Sequence, residues 1–190
     1  MISSLLNKKK TYKDFKNKTF VLTGYSNGIG RQVYENLNSL GSKIILIGRK
    51  KIKNKEFFEC DLSDSIKLDL LCRSISKRFN RIDGIVHCAG TNNCVNISEI
   101  PLNEWNKVFA VNLTSAYILS KNFKNNLLKS NNPSIVFVSS IAGHRKSVVS
   151  GAHYVSSKAG LIGLSKQLSH EFNKNKIRVN CISPSQTATK

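Results

Sequence analysis

The feature that most constrains the fold is a regular alternation of short apolar runs and longer amphipathic stretches along the chain. The short runs predict six strands, at 19–23, 43–47, 57–60, 85–88, 134–138 and 178–182. The second run contains Ile44-Ile45-Leu46, which is typical of a sheet covered on both faces. The alternation therefore predicts β-α-β units and a parallel sheet between layers of helices.

The longer stretches predict helices at 29–40, 63–80, 103–128 and 152–173. Ser63 is the expected N-cap of the second helix. The expected apolar stripe of that helix is Ile66, Leu70, Ile75 and Phe79. Only residues 48–56 separate the second and third strands, which is too short for a crossover helix and predicts a loop or a single turn. The predicted fold is α/β, a doubly wound Rossmann fold with a mostly parallel sheet.

The length of the chain, 190 residues, favours one folded domain, which we assign to residues 17–190. Residues 1–16 are expected to form a flexible basic arm. In this arm a short apolar stretch precedes Lys8-Lys9-Lys10, the reverse of the order in a secretory signal. No apolar run reaches the ~20 residues needed to cross a bilayer, so we expect a cytoplasmic protein without membrane contact.

The charge of the chain is strongly positive, with 30 Lys and Arg against 11 Asp and Glu and a formal net charge of +19. This imbalance raises the question of a polyanionic partner such as nucleic acid. The basic residues are scattered, however, without an Arg stripe and interleaved aromatic residues, which favours a solvated basic surface and no nucleic-acid partner. The five cysteines lack metal-ligand spacing, so we expect reduced thiols and no metal site.

A glycine-rich turn joins the first predicted strand to the first predicted helix, with the sequence Thr23-Gly24-Tyr25-Ser26-Asn27-Gly28-Ile29-Gly30. Glycines allow a tight turn and let a pyrophosphate approach the backbone, where a helix N-terminus presents free N–H groups. The alternative is a strand-to-helix turn that binds no ligand. The candidate cofactor contacts here are Gly24, Ser26, Asn27, Gly28, Ile29 and Gly30.

The residues after the second and third strands bear on which dinucleotide would bind. Proteins that bind NAD often have an acidic residue after the second strand, whereas this chain has Gly48-Arg49-Lys50-Lys51. Arg49 either pairs with a 2′-phosphate and stacks on the adenine, or is one more basic surface residue. After the third strand, Asp61 is a candidate partner of the adenine amino group, and Leu62 is a candidate contact of the ring.

Tyr154 and Lys158 are four residues apart on the last predicted helix, and hence lie on one helix face. A neighbouring ammonium group favours the phenolate, so such a pair can act as a general acid/base. The alternative is an ordinary surface pair. Upstream, Ser139-Ser140 closes the fifth predicted strand, at the carboxyl edge where open parallel sheets bind ligands.

Taken together, these motifs resemble those of the short-chain dehydrogenase/reductase family. The matching segments follow the family's order and are the turn at 23–30, Val111-Asn112-Leu113, Ile135 to Gly143, Tyr154-xxx-Lys158-Ala-Gly and Arg178 to Pro184. The resemblance extends from about residue 16 to residue 190. It implies an oxidoreductase that transfers hydride between a nicotinamide dinucleotide and a carbonyl or alcohol substrate.

The resemblance also implies roles for single residues. Tyr154 would be the general acid/base, Lys158 would assist it and hold the nicotinamide ribose, and Ser140 would orient the substrate oxygen. Asn112 would support a water that links Lys158 to solvent. The further implied cofactor contacts are Ala89, Gly90, Tyr154, Lys158, Pro184, Thr187 and Thr189.

Cofactor and partners follow from the same comparison. Arg49 and the missing acidic residue favour NADP(H), with NAD(H) as the alternative. The implied substrate is a carbonyl or alcohol, either a small molecule or bound to a carrier. A homodimer or homotetramer is expected if the family's full C-terminal region is present.

Departures from the family's pattern limit these expectations. The usual Asn-Asn-Ala-Gly is His87-Cys88-Ala89-Gly90, in which His87 either replaces an asparagine that stabilises the sheet or is a satisfied core histidine. The chain also stops at Lys190, so the family's last strand and substrate lid are expected to be missing. The alternative function is therefore a truncated or degenerate nucleotide-binding module without catalysis.

Overall fold

The computed structural model describes residues 15–53 and 55–187. Most of the predicted N-terminal arm, and the predicted cofactor contact Thr189, lie outside the described residues. The described part of the arm lies against the core, because the ring of Phe15 stacks on that of Phe20 at a centroid distance of 5.8 Å.

All six predicted strands are present, with bounds within one residue of the predicted ones. They are β1 Thr19–Thr23, β2 Lys43–Gly48, β3 Glu56–Glu59, β4 Gly84–His87, β5 Ser134–Val138 and β6 Arg178–Ile182. Within the described residues they form one sheet in the order β3-β2-β1-β4-β5-β6, and every pairing is parallel. This is the doubly wound Rossmann topology, and its order reverses between β1 and β4.

Five α-helices connect the strands, namely α1 Gly28–Ser39, α2 Ser65–Arg78, α3 Leu102–Phe109, α4 Ser115–Leu127 and α5 Ala152–Asn173. The predicted helix over 103–128 is present as a continuous helical segment over 102–127, but it is not α-helical throughout, because a π-helical turn at Ala110–Thr114 separates α3 from α4. The π turn contains Asn112, which is fully buried and uses its amide group to bond the backbone of Thr91. The extra residue of a π turn changes which side chains face the interior, and such turns are frequent at functional sites.

Helix α2 differs from the prediction at its N-cap and on its buried face. The N-cap is Asp64 rather than Ser63, and its carboxylate accepts the backbone N–H of Lys67 at 2.9 Å. Ile66 and Leu70 of the predicted stripe are 77% and 61% exposed. The buried face comprises Leu68, Cys72 and Ile75. Both sets have helical spacing, so periodicity alone could not choose between them.

The core has two parts, one on each face of the sheet. Helices α2, α4 and α5 pack on strand residues such as Val21, Ile85 and Phe137, and α1 packs on the intervening residues such as Leu22 and Leu46. Because helices cover both faces, the interior of β2 is apolar at consecutive positions. In the described residues, no helix combines the length and apolar character needed to cross a membrane.

Candidate active site

A cleft of about 650 Å³ opens at the carboxyl ends of β1 to β4, where the strand order reverses. Open α/β sheets bind their ligands at this place, because the loops on either side of the reversal diverge. Half of the predicted cofactor contacts line the cleft, namely Gly24, Ser26, Asn27, Arg49, Asp61, Leu62, Ala89 and Gly90. The fold therefore brings together residues that are up to 66 positions apart in the sequence, from Gly24 to Gly90.

The glycine-rich turn passes close to the loop after β4. Gly24 has a φ angle of 71°, and a Cβ atom at this position would collide with the backbone nitrogen of Ala89. A Cβ atom at Gly30 would collide with the carbonyl oxygen of Gly24. Both positions therefore require glycine. Gly28, Ile29 and Gly30 form the first turn of α1 rather than the wall of the cleft.

The N-terminus of α1 is suited to binding an anion. Asn27 occupies the N-cap position, but its side chain makes no capping bond, and the first turn contains no acidic residue. In this described helix the N-terminal N–H groups thus lack a side-chain acceptor, and the helix dipole places a partial positive charge there. This terminus and the backbone of the turn together fit a pyrophosphate.

Charged side chains line the opposite wall of the cleft. Arg49 follows β2, and its Nη1 lies 3.7 Å from Oδ2 of Asp61, with the two side chains 79% and 47% exposed. Ser63 donates two bonds to Asp61 Oδ1, from its backbone N–H at 2.9 Å and from its hydroxyl at 2.8 Å. These bonds lower the pKa of Asp61, burial opposes the shift, and Arg49 adds to it. The carboxylate is therefore ionised at neutral pH.

The predicted pair of Tyr154 and Lys158 does not line the cleft itself and lies beyond Gly90, which ends the cleft on that side. Lys158 is 3% exposed, and its Nζ donates a 2.8 Å bond to the carbonyl of Val138. The same Nζ lies 5.7 Å from the centre of the Tyr154 ring. A Cβ atom at Gly90 would lie 3.3 Å from Nζ, so the glycine leaves room for the ammonium group.

Lys158 is a buried cation without an anionic partner. None of the ion pairs among the described residues includes it. Burial lowers the pKa of Lys158 from 10.5 to about 8, because the charged form loses its hydration. The group thus titrates close to neutral pH, where a proton-transfer group is most effective.

Asn112 joins the loop after β4 to helix α5. Its Oδ1 accepts the N–H of Thr91 at 2.8 Å, and its Nδ2 donates to the carbonyl of Thr91 at 3.0 Å. Nδ2 also donates to the hydroxyl of Ser157 at 2.9 Å. Because Thr91 follows Gly90 and Ser157 precedes Lys158, this one side chain fixes the distance between the cleft and the buried lysine.

The two serines after β5 have different environments. Ser139 is buried, and its hydroxyl donates to the carbonyl of Lys158 at 2.9 Å. Ser140 is half-buried, and its hydroxyl oxygen accepts the N–H of Ala142 at 3.1 Å, which caps a short 3₁₀ turn. Its hydroxyl proton has no acceptor among the described residues, so Ser140 is able to donate a hydrogen bond to a ligand.

The loop after β6 lies beside these serines. The carbonyl of Pro184 accepts the N–H of Ile141 at 3.0 Å, which brings the predicted contact Pro184 next to Ser140. Thr187 is exposed, and its hydroxyl donates to the carbonyl of Ser185 at 3.2 Å. Pro184 and Thr187 do not line the cleft itself.

His87 is a hydrogen-bonded core residue that also connects two strands. It is fully buried, and its Nδ1 lies 2.8 Å from the hydroxyl of Thr23, which ends β1. Its Nε2 lies 3.4 Å from the hydroxyl of Ser115. Burial, with a smaller effect of Lys158, lowers the pKa of His87 to about 3. The ring is neutral at physiological pH. His87 is therefore a satisfied core histidine, and its bond to Thr23 also links β4 to β1, so the two predicted alternatives are compatible.

Sequence reasoning missed four polar residues that line the cleft, namely Tyr25, Lys50, Thr91 and Lys107. Lys50 follows Arg49 directly, so the charge argument made for Arg49 extends to it. Tyr25 occupies a place in the glycine-rich turn that the motif leaves open. Lys107 lies on α3, and no motif or spacing rule connects that helix with the end of the cleft that carries Arg49 and Asp61.

Comparison with known proteins gives a consistent result. The family model for short chain dehydrogenases matches residues 18–190. The chain is 30% identical over 180 residues to the 3-oxoacyl-[acyl-carrier-protein] reductase FabG of Salmonella typhimurium, with 90% of this chain and 73% of that protein covered. It is 32% identical over 177 residues to the dehydrogenase/reductase SDR family member 6 of Aquarana catesbeiana, with 90% and 72% covered.

Solved structures of similar proteins share the fold. The ligand-free aldohexose dehydrogenase of Thermoplasma acidophilum has a TM-score of 0.85 at 28% identity, with 93% of this chain and 69% of that chain covered. A short chain dehydrogenase of Shigella flexneri complexed with NADP has a TM-score of 0.82 at 29% identity, with 93% and 81% covered. An oxidoreductase of Brucella ovis with a partially ordered NAD has a TM-score of 0.83 at 29% identity, with 89% and 83% covered.

Proposed function

Because the chain belongs to the short-chain dehydrogenase/reductase family, we propose that it transfers hydride between NADP(H) and a carbonyl or alcohol substrate. The observation that carries this proposal is the buried ammonium group of Lys158, 5.7 Å from the ring of Tyr154, at one end of a cleft with a glycine-rich turn. A proton-transfer pair beside a nucleotide-sized cleft is the arrangement that coupled hydride and proton transfer requires.

The residues of the cleft fit a dinucleotide. Gly24 and Gly30 have no room for a side chain, so the turn presents bare backbone to a ligand. In our proposal the turn and the N-terminus of α1 hold the pyrophosphate, and Asp61 and Leu62 hold the adenine. The nicotinamide end of the dinucleotide lies past Gly90, on the side of Tyr154 and Lys158. When bound, the nicotinamide ring supplies the hydride donor or acceptor.

Arg49 supports the choice of NADP(H) over NAD(H). Its guanidinium is 79% exposed, and its contact with Asp61 is long at 3.7 Å, so it is free to pair with a 2′-phosphate through two hydrogen bonds. Lys50 and Lys107 line the same cleft and add positive charge. No carboxylate directly follows β2 to accept a bond from a 2′-hydroxyl. Among the similar solved structures, one contains NADP and another NAD.

We assign the proton transfer to Tyr154. During reduction its hydroxyl donates a proton to the carbonyl oxygen of the substrate, and during oxidation the phenolate accepts it back. The ammonium group of Lys158 stabilises the phenolate as the proton leaves. Ser140 donates a hydrogen bond to the same substrate oxygen, and Asn112 keeps Lys158 in register with the cleft.

The rim around this site supports a substrate that carries an apolar chain and an anionic group. The loop before α5 exposes Arg145 and Lys146, and it also exposes Val148 and Val149. Asn92, in the loop after β4, donates to the carbonyl of Val149 at 3.2 Å, which holds this loop beside the site. A carrier-bound acyl chain has this combination of charge and apolar surface, and the relative from Salmonella typhimurium is named for such a substrate.

The test is a paired titration of the purified chain with NADPH and NADH, followed by thermal denaturation and calorimetry. A ligand that binds only the folded state stabilises it, by about 2.7 kcal/mol at a concentration of 100 times its Kd. We expect NADPH to raise the Tm more than NADH, and Arg49→Ala to remove the difference. Arg73→Ala is the matched control, because Arg73 is exposed on α2 and pairs with Asp69 away from the cleft. A Tm unchanged by both dinucleotides would overturn the proposal.

A further inference from the structure

Tyr25 is a buried side chain in the glycine-rich turn, where the neighbouring positions face the cleft. It is 3% exposed, whereas Asn27 in the same turn is exposed. Its ring packs in the smaller core cluster with Phe20, Leu37 and Leu46. This packing would hold a phenylalanine equally well, so the hydroxyl requires a separate explanation.

The hydroxyl of Tyr25 crosses from the turn to the segment after β2. It donates a 2.7 Å bond to the backbone carbonyl of Lys50. On the way the ring passes Gly48, where a Cβ atom would lie 3.1 Å from the hydroxyl oxygen of Tyr25. Burial raises the pKa of Tyr25 to about 12, so the group remains protonated and keeps donating at all physiological pH values.

The bond fixes one of two backbone anchors on either side of Arg49. The first anchor is the carbonyl of Gly48, which accepts the N–H of Cys60 at 3.0 Å. The second is the carbonyl of Lys50, held by Tyr25. The side chain of Arg49 is itself 79% exposed and makes only the long contact with Asp61. Its position over the cleft therefore depends on its backbone, and one of the two bonds that hold this backbone comes from the hydroxyl of Tyr25.

We propose that Tyr25 is a positioning residue that selects the phosphorylated dinucleotide, because its bond to Lys50 holds Arg49 where the guanidinium meets a phosphate on the adenosine ribose. The inference rests on the proposed function, since Arg49 has this role only if a dinucleotide occupies the cleft. In this proposal, the bond from Tyr25 to Lys50 connects the turn that binds the pyrophosphate to the segment that recognises the 2′-phosphate. Ordering of the turn around the pyrophosphate thereby also orders Arg49.

The test uses Tyr25→Phe in the full chain and compares the dissociation constants for NADPH and NADH. Loss of the hydroxyl should weaken NADPH binding about fivefold, the equivalent of one hydrogen bond, and change NADH binding less than about twofold. Tyr34→Phe is the matched control, because Tyr34 packs at the edge of the same cluster and has no hydrogen bond among the described residues. In an Arg49→Ala background, Tyr25→Phe should have no further effect on the ratio of the two constants.

The outcomes separate the inference from the proposed function. If wild type prefers NADPH and Tyr25→Phe keeps the same ratio, the inference is wrong and the proposed function stands. Equal weakening of both dinucleotides in a folded Tyr25→Phe variant also overturns it, since Tyr25 then shapes only the turn. If wild type binds neither dinucleotide, both fail together. Should Tyr25→Phe not fold, Gly48→Ala crowds the same hydroxyl, because the added Cβ would lie 3.1 Å from its oxygen, and an unchanged ratio there overturns the inference.

Discussion

The two ends of the cleft are built from different kinds of interaction. At the end proposed to hold the adenosine, called the adenosine end below, Arg49 and Asp61 are exposed, and backbone bonds hold the segments that carry them. At the other end, next to Gly90, Asn112 and Lys158 do not line the cleft but are buried and bonded inside the protein. The first end resembles a surface with charges placed on it, and the second resembles a core with polar groups placed in it.

Because of this difference, one end contributes ligand selectivity and the other contributes proton transfer, with different effects on stability. Exposed charges interact weakly with each other and are screened by salt, so the adenosine end selects a ligand at little cost in stability. A buried cation without a partner destabilises the fold, so the end that holds Lys158 supports proton transfer at the expense of stability. Substitutions should therefore change selectivity at one end, and turnover together with stability at the other.

The largest expected effect is that of Lys158→Met, which should make the protein more stable and inactive. The shift of the lysine pKa to about 8 corresponds to about 3 kcal/mol of lost stability at neutral pH, and the lost bond to Val138 offsets about 1 kcal/mol. We expect the free energy of unfolding to rise by about 2 kcal/mol and carbonyl turnover to fall on the order of 1,000-fold. Urea denaturation and a steady-state assay measure both.

The pH dependence of Lys158→Met provides an internal control. Between pH 8 and 10.5 the unfolded chain keeps the lysine proton that the folded wild type has released, so wild-type stability rises with pH over this window. The methionine variant lacks this rise. A variant less stable than wild type at pH 7 would show that the ammonium group does not destabilise the fold. The two ends would then not differ in their effect on stability.

A smaller effect is expected from His87→Asn, which retains a polar partner for Thr23. The pKa of His87 is 6.5 in the unfolded chain and about 3 in the fold, so the unfolded state binds an extra proton as the pH falls from 6.5 towards 3. Wild-type stability must fall over this window, by about 2 kcal/mol at pH 5. The asparagine variant should lose less stability between pH 7 and pH 5, as measured by urea denaturation.

The comparison of the two proteins isolates the histidine from other acid-sensitive groups. Asp61 and Asp83 also have lowered pKa values, so their protonation destabilises wild type and variant alike at acid pH. Only the difference between the two pH profiles belongs to His87. Parallel profiles would mean that the imidazole accepts a proton in the folded state, and hence that this region is more hydrated than its burial indicates.

The central strands β1 and β2 could be predicted closely because each is an apolar run that is buried at consecutive positions. Helix α2 shows the limit of that reasoning. Its exposed Ile66 and Leu70 have the same periodicity as its buried Leu68 and Cys72, so tertiary packing decided between them. The π turn at Ala110–Thr114 was not predicted either, and the partner of its Asn112 is Thr91, 21 residues away, a contact that helical periodicity does not reveal.

The two ends of the cleft also differed in how far the sequence predicted them. Tyr154 and Lys158 lie close together because both are on the predicted helix α5, four residues apart. Asn112, which the family resemblance singled out, bonds Ser157 beside them. The adenosine end was predicted less completely. Lys107 reaches it from α3, and Tyr25 is connected to Lys50 by a hydroxyl whose partner only the folded backbone provides.

The most direct test of these two roles measures NADPH binding and carbonyl turnover in the same two variants, Tyr154→Phe and Arg49→Ala. We predict that Tyr154→Phe binds NADPH within about twofold of wild type and loses turnover on the order of 1,000-fold. Arg49→Ala should weaken NADPH binding about tenfold and keep turnover at saturating cofactor within about twofold of wild type. Undiminished carbonyl turnover by Tyr154→Phe with NADPH bound would contradict the central claim that this tyrosine transfers the proton.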